Sequence, residues 1–96
     1  MHPSTIARYA PKETARPQGA PVATTSNDQT VTEAGFYKFI SYVSGYYYSV
    51  SNTTISSYPA YNTGNQMIAG HEYCYYLAPG DHFRSNTSNV LVQRFA

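Results

Sequence analysis

The 96 residues predict a small antiparallel β-sandwich or jelly-roll-like domain preceded by an extended N-terminal arm. Three observations carry this. Short aromatic and β-branched runs recur between turn residues at a spacing of roughly ten, the mark of small all-β domains. No segment shows a helical period. Four of the six prolines, Pro3, Pro11, Pro17 and Pro21, crowd the start of the chain.

Those prolines are interleaved with Ser, Thr, Ala and Gln, a composition that blocks long helices and sheet ladders. Residues 1–28 are therefore read as an arm and 29–96 as the sandwich. The arm is expected to lie along other chains, with packing back on its own domain as the alternative, and the sandwich is expected to fold without it. Ile6, Tyr9 and Val22 are its apolar anchors, and Arg8, Lys12 and Arg16 its cations.

Val31 opens a short strand, Glu33-Ala34-Gly35 turns, and Phe36 to Val43 forms an aromatic, β-branched strand bounded by Ser44-Gly45. One face of that strand carries Tyr37, Phe39, Ser41 and Val43, the other Phe36, Lys38, Ile40 and Tyr42, so both faces want cover. Tyr46 to Val50 returns after the turn, with Tyr47 facing away from Tyr46 and Tyr48. Residues 51–64 read as loop with a short strand around Ile55, and Gln66 to Ala69 as the next strand. Glu72 to Leu77 alternates Tyr73, Tyr75 and Leu77 against Glu72, Cys74 and Tyr76. In Ala78-Pro79-Gly80-Asp81, proline presets the φ of the second turn position and glycine accepts the positive φ of the third, which predicts a type II turn reversing the chain toward Phe83. Asn89 to Phe95 closes the domain.

Some 65 residues can contribute to a core, roughly the size at which domains are marginal and often rely on association. The net charge is +1 and charged residues make up 11%, against roughly 25% in an ordinary soluble domain, so the surface is poorly defended against sticking and is expected to be covered by partners. The six cations are scattered, which argues against nucleic acid. Cys74 is alone, so it has no internal disulfide partner and no zinc spacing around it. Met1 to Ile6 lacks the apolar run of a signal peptide, and no stretch is long and apolar enough for a membrane helix, so synthesis in a cytoplasm and no membrane partner are expected. The sequons at Asn52 and Asn86 would matter only in a secretory route.

His71-Glu72 and Asp81-His82 are adjacent acid and histidine pairs, but strand neighbours face opposite ways. A hairpin could bring His71 near His82, a weak metal constellation for which surface histidines are the ordinary explanation. With no phosphate loop or nucleophile elbow, no catalytic, cofactor-binding or metal residue is assigned and no enzyme is expected. Tyr58, Tyr61 and the triple tyrosine could stack on sugar rings, although the tyrosine runs hold no carboxylate except Glu72.

The order Ala34-Gly35-Phe36-Tyr37-Lys38-Phe39, an aromatic strand, a polar loop, Met67-Ile68-Ala69-Gly70, Leu77-Ala78-Pro79-Gly80-Asp81 and Val90-Leu91-Val92-Gln93-Arg94 resembles small β-sandwich structural proteins of tailed bacteriophages, most of all capsid decoration or cement proteins. The resemblance covers about residues 30–95 and leaves out the arm. It implies a non-enzymatic virion protein on the capsid exterior, bound to the major capsid protein. In that setting a homotrimer is expected, with Tyr46, Tyr47, Tyr48, Tyr73, Tyr75 and Tyr76 at the oligomer interface and Ile6, Arg8, Tyr9, Lys12, Arg16 and Val22 contacting the capsid. The alternative is a carbohydrate- or receptor-binding module of a phage tail or fibre.

Overall fold

A computed structural model describes residues 15–96. These residues contain the strands β1 (Val22–Ala23), β2 (Gln29–Thr30), β3 (Gly35–Ile40), β4 (Tyr47–Ser51), β5 (Asn65–Gln66), β6 (Glu72–Leu77), β7 (His82–Ser85) and β8 (Leu91–Phe95), and no helix. They pair into two antiparallel four-stranded sheets, the first in the order β1-β8-β3-β6 and the second β2-β7-β4-β5. The architecture is the expected all-β sandwich.

Alternation decides which side chains meet between the sheets. From the first sheet come Tyr37 and Phe39 of β3, Tyr73, Tyr75 and Leu77 of β6 and Val92 of β8; from the second come Tyr48 and Val50 of β4 and Phe83 of β7. Val31, Tyr46, Met67 and Val90, just outside the strands, complete this core. Phe39 sits at its centre, stacked on Tyr48 at 5.6 Å and edge-on to Phe83 at 5.4 Å, so one ring joins both sheets. The Tyr48 and Tyr75 hydroxyls bond each other across the sandwich, which removes the cost of burying them.

Turn chemistry places the strands. Asp81 N–H donates to Ala78 O at 3.0 Å with Gly80 at φ +94°, as the Pro-Gly pair requires, and the Asp81 carboxylate accepts the Ala78 N–H at 2.8 Å. This turn does not make a hairpin: it carries the chain from β6 in the first sheet to β7 in the second. Gly35 answers a different demand. A Cβ there would lie 2.7 Å from Phe95 O, so only glycine lets β3 approach the end of β8.

Several expected strands are shorter than the pattern suggested. β3 ends at Ile40 because the buried Ser41 hydroxyl donates to Val43 O and accepts Val43 N–H, a local turn that competes with the ladder. Tyr42 and Val43 consequently leave the sheet, Tyr42 at 71% exposure. Ile55 forms no strand; its N–H and C=O go to Asp28 and Arg84 side chains instead.

The part of the arm that is described, from Ala15 onward, is extended as its prolines require, and it is paired. Arg16 and Ala96 exchange both backbone hydrogen bonds at 3.0 Å, Gln18 N–H donates to Arg94 O, and Val22 and Ala23 stand opposite Val92 and Leu91. Proline is tolerated there because the segment is a sheet edge. Thr24 is fully buried beneath it, its hydroxyl 2.6 Å from the Ser85 hydroxyl and 2.8 Å from Val90 O.

Tyr37 gives the fold an alkaline limit. Its hydroxyl donates to Glu33 O at 2.6 Å, and burial pushes its pKa up against the lowering effect of Arg94. Above about pH 10 the unfolded phenol ionises while the folded one keeps its proton, so the unfolded chain binds fewer protons and stability falls as pH rises. Tyr37→Phe is expected to flatten this decline between about pH 9 and 11 in urea titrations; an unchanged slope would assign the decline to other groups.

Candidate functional site

The structure divides the six tyrosines expected at an oligomer interface. Tyr48 is 2% exposed, and Tyr46, Tyr73 and Tyr75 are partly buried with their rings packed against the core around it. Tyr47 and Tyr76 point outward from different sheets and therefore stand on opposite sides of the sandwich. Rings that face each other across the two sheets cover one another, Tyr48 from the second against Phe39, Tyr73 and Tyr75 from the first. Of the arm residues, Ile6, Arg8, Tyr9 and Lys12 lie outside the described residues. Arg16 is bonded to the chain end through its backbone, and Val22 is 62% exposed on the edge strand.

What remains is the outer face of the first sheet. Register places three cross-strand rows there: Phe95, Phe36 and Tyr76; Gln93, Lys38 and Cys74; and Leu91, Ile40 and Glu72. Phe36 and Tyr76 meet edge-on at 5.4 Å, and the Lys38 ammonium lies 5.2 Å from the Phe95 ring centre and 3.2 Å from Glu72. Tyr42, beyond the end of β3, joins Ile40, Leu91 and Pro21 around a shallow depression at one end of this face. The surface is thus aromatic and aliphatic, with its one cation and one carboxylate neutralising each other, and it spans the three longest strands of the sheet. Phe36, Ile40 and Tyr42 were legible as a second apolar face of β3; Leu91 and Phe95 were not grouped with them because the strand order was unknown.

The acid and histidine pairs do not converge. β6 and β7 belong to different sheets, so His71, ahead of β6, has no hairpin relation to His82. His82 Nδ1 lies 2.9 Å from Asp28 Oδ2, whose other oxygen accepts Ile55 N–H at 3.0 Å. Arg84, beside them on the outer face of the second sheet, donates to Ser26 O and Ile55 O and lies 4.6 Å from the Tyr58 ring centre. This polar cluster ties the loops before β2 and after β4 to β7. Among the described residues no three metal-ligating side chains come together. Lys38, Arg84 and Arg94 all direct their charge to partners within the fold, Arg94 to Glu33 at 3.1 Å and to Ala34 O.

No protein-family model matches the chain, no curated protein is significantly similar to it, and no solved structure matches it. The fold class is therefore defined by the two sheets, and function must be argued from the surfaces they present.

Proposed function

We propose that this protein is a non-enzymatic virion structural subunit, a decoration or cement protein that binds the major capsid protein on the outside of a phage head shell. The observation that carries the proposal is the apolar outer face of the first sheet, which suits burial under another protein far better than hydration. Phe36, Tyr76, Leu91 and Phe95 are half-buried, Tyr42 is exposed and Ile40 is buried, so the first five each add on the order of 1 kcal/mol on docking, and acting together they suffice for a specific interface. The low charge of the chain supports the same reading, since it suits a subunit held among neighbours. Self-association about a three-fold axis brings several such faces and leaders to one shell and multiplies their effect through avidity.

The double variant Phe36→Ser, Tyr76→Ser tests the docking face. Both side chains lie outside the core, so the variant is expected to unfold within a few degrees of the parent, about the shift that 1 kcal/mol produces. In sedimentation with undecorated heads its occupancy is expected to fall by about 100-fold in affinity, the loss of roughly 2.7 kcal/mol. Full occupancy by a folded variant would remove this face from the proposal.

A further inference from the structure

On the opposite side of the sandwich, β4 and the long loop that follows it border an open groove of about 400 Å³, within the range of roughly 300–1,000 Å³ typical of small-molecule sites. We infer that this groove binds a neutral carbohydrate. The inference goes beyond shell docking and uses none of the residues assigned to it.

The wall chemistry is that of a polyol site. Ser49, Thr54, Ser56 and Ser57 line the groove, and none of their hydroxyls has a hydrogen-bond partner among the described residues. Each offers a donor and acceptor to a ligand hydroxyl. Ile55, half-buried, adds apolar surface of the kind that meets the C–H face of a sugar ring. Asn65 donates its amide to Tyr48 O, which leaves its Oδ1 available as an acceptor. Tyr58 and Tyr61, at 59% and 83% exposure, stand on the same loop outside the groove lining, and the Tyr58 ring is already covered by Arg84.

Charge selects the ligand class. No ionisable side chain lines the groove. The nearest cation in the cluster, Arg84, has its guanidinium engaged by two carbonyls and the Tyr58 ring. An anionic sugar would find no counter-charge there, whereas neutral hexoses and N-acetylhexosamines require none.

The loop is also shaped in advance. Pro59 is fully buried, and a Cβ on Gly64 would lie 2.6 Å from the Pro59 Cβ, so the two limbs of the loop touch. Ala60 O accepts the Thr63 and Gly64 N–H groups, closing the turn that displays Tyr61. At its other end the loop is fastened by Asp28 and Arg84 through Ile55. A groove held in this way binds without first having to order its own wall.

The test is a ¹⁵N–¹H NMR titration of the full chain, without shells, using neutral hexoses, N-acetylhexosamines and their short oligomers, with a sialylated oligosaccharide as the anionic arm. Saturable shifts confined to the amides of residues 49–65 are expected, with a Kd on the order of 1 mM for the best neutral sugar. The double variant Ser56→Ala, Ser57→Ala is expected to weaken binding by about tenfold while its unfolding curve matches the parent, as surface substitutions do. Phe36→Ser, Tyr76→Ser should bind the sugar normally, which separates this site from the docking face. Absence of saturable shifts across the neutral panel, preference for the sialylated arm, or shifts centred outside residues 49–65 would each overturn the inference.

Discussion

Phe39→Ala is expected to leave the chain without a cooperative unfolding transition at 25 °C. Truncating a buried phenylalanine costs about 3–5 kcal/mol through lost transfer energy and the cavity left behind. At this position the loss lies at the upper end, because Phe39 is 1% exposed and its ring contacts come from both sheets: Tyr48 and Phe83 from the second, Tyr75 from the first. Each aromatic pair adds about 0.5–1.5 kcal/mol beyond the buried area. A domain of this size holds roughly 4–12 kcal/mol in total, so the substitution consumes much or all of it. Phe39→Leu, which keeps most of the volume and gives up the ring geometry, is expected to cost only about 1–2 kcal/mol and to retain a sharp urea transition with an unchanged m-value. If Phe39→Ala unfolded as sharply as the leucine variant and at a similar midpoint, the sheets would have to be held together elsewhere than through this ring.

The centrality of Phe39 could be read in part from the sequence, and the manner in which the rest could not be read is instructive. Period-two alternation separates Tyr37 and Phe39 from Phe36, Lys38 and Ile40, and the structure keeps that separation. The Pro79-Gly80 turn was equally legible, because the φ values it needs are intrinsic to those two residues. Alternation cannot say which of two apolar faces is inside, since that depends on the strand order, a property of distant pairings. The triple tyrosine shows the consequence: Tyr46 and Tyr48 face the core and Tyr47 does not, yet six tyrosines had been read as one interface. The groove beside β4 was less visible still. Its serines and threonines looked like ordinary loop polarity, and only the clamp of Asp28, Arg84 and the Pro59–Gly64 contact makes a concave surface of them. Tyr58 and Tyr61 were the sole signal that pointed there.

The arm provides the second large effect, and here structure and composition lead to opposite experiments. Composition made residues 1–28 dispensable to folding; the contacts of residues 15–28 make part of that segment a structural strand. A chain lacking 1–28 loses the Arg16, Gln18 and Thr24 bonds to the end of the chain and to Val90, and the pairing of β1 with β8. It also loses the Thr24 hydroxyl from its buried contact with Ser85, and the Asp28 carboxylate from His82 and Ile55. At about 1 kcal/mol for each hydrogen bond, and more where a buried partner is left unsatisfied, the sum exceeds 5 kcal/mol, comparable with the whole stability of the domain. It further turns β8 into an open edge bearing Leu91, Val92 and Phe95, an invitation to aggregation. The truncated chain is expected to be insoluble or to melt without cooperativity. A chain beginning at residue 15 keeps every one of these contacts and is expected to melt within a few degrees of the parent, about the shift of 1 kcal/mol. Comparing the two by circular dichroism and calorimetry separates the roles of the leader. Loss of shell binding in the shorter deletion with the fold intact would assign anchoring to Ile6, Arg8, Tyr9 and Lys12, whereas a cooperative melt for the longer deletion would mean that β8 needs no cover and that the pairing of residues 15–24 contributes little to stability.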